Sequence, residues 1–144
     1  MVFSCLASSK NETLLAMAGL VTFDFDDTLT LPIKDSEGYW VCGGSEPNFE
    51  MIERLKEWSA RGHPVAIVTS RPRTSGSESR IGTFIMLHEL PVDEVVYTNG
   101  EWKADFLADM GAVLHHDDRK EELERIEAKG IEVVEVPFPP GPKR

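Results

Sequence analysis

Short apolar runs alternate with stretches of helical periodicity along most of the chain, and this alternation constrains the fold more than any other feature. Each apolar run is short enough for a buried strand, and turn residues separate it from the next helical stretch. The predicted strands cover residues 20–25, 64–68, 92–97, 112–115 and 131–136. The predicted helices run from residue 49 to a stop at Gly62 and over 81–88, 101–110 and 119–129.

Strands that alternate with helices predict crossover connections and a parallel sheet covered on both faces. We therefore expect an α/β fold, a three-layer Rossmann-like sandwich with a mostly parallel five-stranded sheet. Residues 31–42 predict a small β-hairpin flap beside it. The predicted domain covers 20–136, preceded by an arm or short helix in 1–19 and followed by a proline-rich tail, 137–144.

The composition is that of a soluble globular chain with an excess of acids. The 144 residues include 15 Lys and Arg against 25 Asp and Glu, a net charge of −10, which argues against broad attraction to nucleic acid or anionic membrane. No apolar run approaches the roughly 20 residues of a membrane span. The N-terminus lacks a signal-peptide pattern. Cys5 and Cys42 predict free thiols, so we expect a cytoplasmic protein.

Chemically reactive side chains follow three of the predicted strands. They are Asp24, Asp26 and Asp27 after the first, Thr69, Ser70 and Arg71 after the second, and Asp117 and Asp118 after the fourth. Ligands of such sheets bind beyond the carboxyl ends of the strands, where these groups are expected to lie.

The acidic residues indicate a site for a hard divalent cation. Three carboxylates within four residues, Asp24, Asp26 and Asp27, repel one another, and a bound cation would offset that repulsion. Mg²⁺ prefers oxygen ligands and takes one or two protein carboxylates. The pair Asp117 and Asp118 could share the same ion. A solvated acidic turn is the alternative for each cluster taken alone.

The order of these residues resembles the four motifs of the haloacid dehalogenase superfamily of phosphohydrolases. The first motif, an apolar strand followed by Asp-x-Asp-x-Thr/Val, is matched by residues 24–28. The second, an apolar strand ending in Thr or Ser, is matched by 65–69. The third, a Lys near the start of a later helix, is matched by Lys103, and the fourth, an apolar strand ending in an acidic pair, by 113–118.

The resemblance implies a catalytic role for each matched residue. Asp24 would be the nucleophile that forms an aspartyl-phosphate, and Asp26 the general acid and base. Thr69 would donate a hydrogen bond to the phosphoryl group, with Ser70 as the alternative. Lys103 would place a positive charge against that group and against Asp24. Thr28 would hold the loop that aims Asp26.

The same resemblance implies a Mg²⁺ cofactor. Asp24 and Asp118 would hold the ion, with help from Asp117 and the Asp26 carbonyl. Asp26 favours a phosphatase over a dehalogenase, which lacks this second acid. Asp27 has no required role and is predicted to be a solvated turn residue or an outer-shell hydrogen-bond acceptor.

His115 and His116 beside the acids raise the alternative of a Zn²⁺ site. Adjacent strand residues face opposite sides of a sheet, so both rings cannot easily ligate one ion. We therefore expect packing or supporting roles for them.

The substrate is expected to be bulky, because the chain resembles a capless member of the superfamily. A narrower resemblance, over 69–71, 102–103 and 114–119, is to the 3′-phosphatase domain of phage polynucleotide kinases, in which an Arg matches Arg71. Arg71 could grip phosphate through two hydrogen bonds or lie in a solvated loop.

Further side chains could help to bind a nucleic-acid end. Arg73, Arg80 and Lys34 could extend a basic rim, and Tyr39 and Trp40 could stack on a base or pack on the core.

Two other functions remain open at this stage. One is a small-metabolite or nucleotide phosphatase closed by a second copy, and the other is a non-catalytic phosphate- or metal-binding module. A monomer or weak homodimer is expected.

Overall fold

The structure, a computed structural model, describes residues 18–143 and contains a five-stranded sheet and a separate hairpin. The strands in this range are β1 (Leu20–Phe23), β2 (Thr30–Lys34), β3 (Trp40–Pro47), β4 (Val65–Thr69), β5 (Glu94–Tyr97), β6 (Ala112–Asp117) and β7 (Glu132–Glu135). The helices are α1 (Phe49–Ala60), α2 (Ser75–Leu87), α3 (Lys103–Met110) and α4 (Lys120–Glu127).

The sheet has the strand order β5-β4-β1-β6-β7, and each neighbouring pair in it is parallel. The fold class predicted from the sequence is confirmed, including the small antiparallel hairpin of β2 and β3 and the lack of a cap among residues 18–143. β1 lies at the centre of the sheet, so its carboxyl end is flanked on both sides by the ends of other strands.

Helices cover both faces of the sheet and form two apolar clusters. The larger cluster joins β1 to α1 and α2 through fully buried side chains such as Leu55 and Ile81. The smaller joins α3 and α4 to the other face through Leu107 and Ile126. Burial on both faces explains why the inner strands β1 and β4 are mostly apolar instead of alternating.

α2 begins six residues earlier than the sequence pattern predicted, at Ser75 instead of residue 81. The Thr74 side chain caps it by accepting the Ser77 N–H at 3.1 Å. The first turn contains mostly small polar residues and buries only Ser77, so it lacks the apolar periodicity that marks a helix. Residues 75–80, which the sequence pattern did not predict as helix, are therefore helical.

Residues 136–143, which follow β7, contain no helix or strand but pack on the hairpin. The Trp40 N–H donates to the Pro142 carbonyl at 2.9 Å, and its indole N–H donates to the Pro140 carbonyl at 3.0 Å. The Phe138 ring meets the same indole edge-on, with ring centres 6.4 Å apart. Of the two fates considered for Trp40, packing is observed, although on the tail and not on the core.

Two further predictions concern the N-terminal segment and membrane-spanning helices. The arm or short helix predicted in 1–19 lies almost wholly outside the described residues. Within 18–143, none of the helices combines the length and the apolar character that crossing a membrane requires.

Candidate functional site

The carboxyl end of β1 brings the predicted acids to the centre of the sheet edge. Phe23 pairs with Ile67 of β4 and with His116 of β6, so the next residue, Asp24, lies level with Asp117. The Asp24 N–H donates to the His116 carbonyl at 2.9 Å, which extends this pairing by one residue. Sheet register therefore places the two acidic clusters side by side.

Asp24 is followed by one wide turn, Phe25–Leu29, in which the Thr30 N–H donates to the Phe25 carbonyl. Asp26 and Asp27 depart from helical backbone angles inside this turn. The departure separates three neighbouring acids that would otherwise crowd one another.

The Asp24 carboxylate is buried, and both of its oxygens accept hydrogen bonds. Lys103 Nζ donates to Oδ1 at 2.8 Å, and the Thr28 hydroxyl donates to Oδ2 at 3.1 Å. Only 5 % of Asp24 is exposed. Thr28 therefore contacts the predicted nucleophile directly. The backbone carbonyl of Thr28 accepts a hydrogen bond from the Asn48 side chain.

Lys103, the first residue of α3, is the central cation of the site. It is 1 % exposed, and its Nζ also donates to Asp117 Oδ2 at 2.7 Å. Its backbone N–H donates to the buried carboxylate of Glu122 at 3.0 Å, which anchors the start of α3. Burial lowers the pKa of Lys103, but the charges of Asp24 and Asp117 outweigh this effect and raise it above its usual value. Lys103 is therefore a fixed positive charge.

Asp117 is held as a carboxylate by a small polar network. Besides Lys103, His115 Nε2 lies 2.9 Å from its Oδ2, and the Arg119 N–H donates to its Oδ1 at 3.1 Å. Burial would raise the pKa of Asp117, but the His115 hydrogen bond and the Lys103 charge hold it well below its usual value.

The two histidines point to opposite sides and support different parts of the sheet. Burial lowers the pKa of His115, so the neutral ring donates from Nε2 to Asp117 and accepts at Nδ1 from the Thr22 hydroxyl, 2.7 Å away. His116 stacks on Phe23 with ring centres 3.9 Å apart. The structure agrees with packing and supporting roles instead of shared Zn²⁺ ligation.

Asp24, Asp117 and Asp118 form a cluster whose ligand oxygens all lie within 4.8 Å of one another. Burial, followed by the neighbouring charges of Asp117 and Asp27, raises the pKa of Asp118 to about 7. Burial also raises the pKa of Asp24 well above its usual value, against the opposing charge of Lys103 and with the added effect of Asp117 and Asp118. The cluster thus has more negative charge than Lys103 offsets, and its all-oxygen donor set fits a hard cation such as Mg²⁺.

The Asp26 side chain pairs with Arg71 and is not one of the three clustered acids. Arg71 donates through Nε and Nη2 to the two carboxylate oxygens, both at 2.7 Å. The pair is partly buried, and Arg71 Nη2 also lies 3.4 Å from the Gly43 carbonyl of the hairpin. Arg71 is therefore not in a solvated loop. The Asp26 carboxylate is not placed to bind a cation together with the three clustered acids.

The two hydroxyl residues before Arg71, Thr69 and Ser70, differ in their burial. Thr69 is fully buried at the end of β4, and its Oγ1 accepts the Arg71 N–H at 3.2 Å. That hydroxyl keeps its own proton for donation to another acceptor. Ser70 is partly exposed.

Asp27 contradicts one of the two roles predicted for it. It is 8 % exposed, so it is not a solvated turn residue. Its backbone is left-handed at φ +63°, and its Oδ1 has no hydrogen-bond partner among residues 18–143. A strained backbone and an unsatisfied buried oxygen each cost about 1–3 kcal/mol. The sequence shows Asp27 as a third acid in residues 24–28, but it gives no sign that the side chain is buried.

The predicted basic rim is only partly assembled. Arg80 donates to the Gly43 carbonyl at 2.9 Å and so holds the hairpin against α2. Arg73 forms an exposed salt bridge with Glu78, and Lys34 lies over the Trp40 ring.

An open cavity of about 660 Å³ lies on the β6–β7 side of the acidic cluster. Its lining includes Asp27, Asp118 and Cys42 as well as the tail residues Phe138 and Lys143. Water can therefore approach Asp118 from this side.

Comparisons with known proteins do not assign a family to this chain. No protein-family model matches the sequence, and a search of curated proteins finds no match.

We predict that Lys103→Met strongly destabilises the protein, because it leaves two buried carboxylates without their cation. Removing one partner of a buried ion pair typically costs about 3–5 kcal/mol. Urea unfolding in EDTA measures the change. Lys129→Met is the matched control, since the Lys129–Asp105 pair is exposed and its loss should cause no measurable change. Equal losses in both variants would contradict the central role given to Lys103.

We also predict a pH dependence that distinguishes wild type from Asp118→Asn in EDTA. A carboxyl group whose pKa is raised in the folded state stabilises the protein below its unfolded pKa of about 4. This contribution is lost as the pH rises towards the folded value of about 7. The Tm of wild type should therefore fall relative to that of the Asn variant between these values. Parallel Tm curves would show that Asp118 is not perturbed.

Proposed function

We propose that this protein is a Mg²⁺-dependent phosphomonoester hydrolase that forms an aspartyl-phosphate on Asp24. The observation that supports this most is the buried Asp24 carboxylate, 2.8 Å from Lys103 Nζ, beside two further acids within cation-binding distance. The order of the four sequence motifs supports the same function independently of these distances.

The cation would be held by Asp24 and Asp118, with Asp117 as a further oxygen donor. The family pattern adds the Asp26 carbonyl. When bound, Mg²⁺ would supply positive charge that lets an anionic nucleophile approach a negatively charged phosphoryl group.

The chain's own residues then divide the reaction between them. A carboxylate oxygen of Asp24 forms a bond to phosphorus while the bond from phosphorus to the leaving oxygen breaks. Lys103 and the Thr69 hydroxyl stabilise the negative charge on the phosphoryl oxygens. Thr28 and Lys103 keep the Asp24 carboxylate aimed, through their hydrogen bonds to its two oxygens.

Asp26 acts as the proton carrier. It donates a proton to the leaving oxygen in the first step and takes one from the water that hydrolyses the aspartyl-phosphate in the second. Its position outside the acidic cluster suits this role, because it is not engaged as a ligand. Arg71 orients it through two hydrogen bonds.

For the substrate we favour a bulky phosphate ester such as the 3′-phosphorylated end of a nucleic acid. Residues 18–143 contain no cap, and the hairpin that flanks the site is tied to Arg71 and Arg80 at the Gly43 carbonyl. These arginines place positive charge beside Asp26, where a phosphodiester backbone could lie. The net charge of −10 favours instead a small metabolite or nucleotide. We propose a cytoplasmic monomer or weak homodimer.

We predict that the protein hydrolyses p-nitrophenyl phosphate with Mg²⁺ and that EDTA abolishes the activity. Asp24→Asn should lower kcat by at least about three orders of magnitude, because the amide cannot form the phosphoryl intermediate. Asp105→Asn is the matched control, since Asp105 is exposed on α3 and lies outside the site. No turnover with any divalent ion would favour the non-catalytic phosphate- or metal-binding module.

For substrate choice, we predict that 3′-phosphorylated oligonucleotides have a higher kcat/KM than 5′-phosphorylated ones, sugar phosphates and free nucleotides. Arg80→Gln should reduce this preference, because it removes positive charge beside the hairpin while leaving Asp24 and Asp26 intact. Phosphate release measures each rate. A preference for sugar phosphates by orders of magnitude would exclude the nucleic-acid substrate without excluding phosphatase activity.

A further inference from the structure

Asp27 has a conformation and an environment that folding alone does not favour. Its left-handed backbone is one that Gly adopts without a steric penalty. The residue is 8 % exposed, and its Oδ1 is buried with no hydrogen-bond partner in the described part of the chain. A carboxylate kept at such a position needs a partner of another kind, such as a cation or an ordered water.

The local contacts of Asp27 do not supply a hydrogen bond to each of its polar atoms. The Asp27 N–H donates to the Thr30 hydroxyl at 3.0 Å, a bond that any residue could make through its backbone. The Cys42 thiol and the Gly43 backbone of the hairpin lie near the carboxylate, and the charge of Lys143 in the tail also acts on it. None of the hydrogen bonds within residues 18–143 reaches Oδ1.

The position of Asp27 relative to the acidic cluster indicates the missing partner. Asp27 and Asp118 line the same open cavity. Asp27 does not belong to the group whose oxygens lie within 4.8 Å of one another, Asp24, Asp117 and Asp118. It is therefore beside the cation site without being one of its clustered ligands.

We propose that Asp27 Oδ1 accepts a hydrogen bond from a water molecule that hydrates the cation at Asp24, Asp117 and Asp118, and that this bond strengthens cation binding. The inference rests on the proposed function for the cation itself. Mg²⁺ gives up its waters reluctantly and keeps several of them when bound to protein carboxylates. Acceptors that hold such outer groups typically change metal affinity by about 10–100-fold.

Two substitutions of Asp27 separate this role from a structural one. Asp27→Gly removes the carboxylate and suits the left-handed backbone, so its Tm in EDTA should be no lower than that of wild type. Its Kd for Mg²⁺, measured by calorimetry, should rise by about 10–100-fold. Asp27→Asn keeps a neutral acceptor oxygen and should raise the Kd less.

The matched control is Glu89→Gly. Glu89 also has a left-handed backbone, at φ +51°, but is exposed at the end of α2. It should tolerate Gly equally well and leave the Kd unchanged, which separates relief of backbone strain from loss of the outer acceptor.

The possible results distinguish this inference from the proposed function. If wild type binds Mg²⁺, Asp24→Asn abolishes binding and Asp27→Gly binds as wild type does, the role of Asp27 is wrong and the cation site stands. If Asp27→Gly lowers the Tm in EDTA while the Kd is unchanged, Asp27 has a structural role and the inference is also wrong. If wild type binds no Mg²⁺, both proposals are contradicted.

Discussion

The contact on which the site depends most is the double hydrogen bond from Lys103 Nζ to Asp24 and Asp117. The three groups come from α3, the end of β1 and the end of β6, and all are nearly inaccessible to solvent. A buried charge is tolerated when it is paired, so each carboxylate depends on this ammonium group and the ammonium group depends on both. The pairing therefore couples the stability of the sheet edge to the geometry of the predicted nucleophile.

The site contains more acidic groups than its buried cation offsets, and the structure distributes this excess unequally. Asp26 has its own partner in Arg71, and Asp117 is further stabilised by His115. Asp24 and Asp118 have raised pKa values instead, which marks them as the groups that would gain most from a divalent ion. The arrangement separates the arginine-paired Asp26 from the acidic cluster only a few residues away.

Much of the architecture could be predicted from local patterns. Apolar runs bounded by turns predicted the sheet strands, and acids placed directly after those runs predicted where a site would lie. The start of α2 was missed, because its first turn is stabilised by the Thr74 cap and buries little. The burial of Lys103 was also not visible, since a lone Lys on a helix is usually solvated.

By itself, the sequence determined the fold class, the order of the chemically reactive residues and their position at strand ends, because these depend on local periodicity. Only the tertiary structure decided which side chains meet. Arg71 pairs with Asp26 across 45 residues, and Asp27 is buried with an unpartnered oxygen beside Asp118. Such contacts depend on β4 and β6 flanking β1 and on the hairpin closing over the turn, and strand order is not encoded in any single segment.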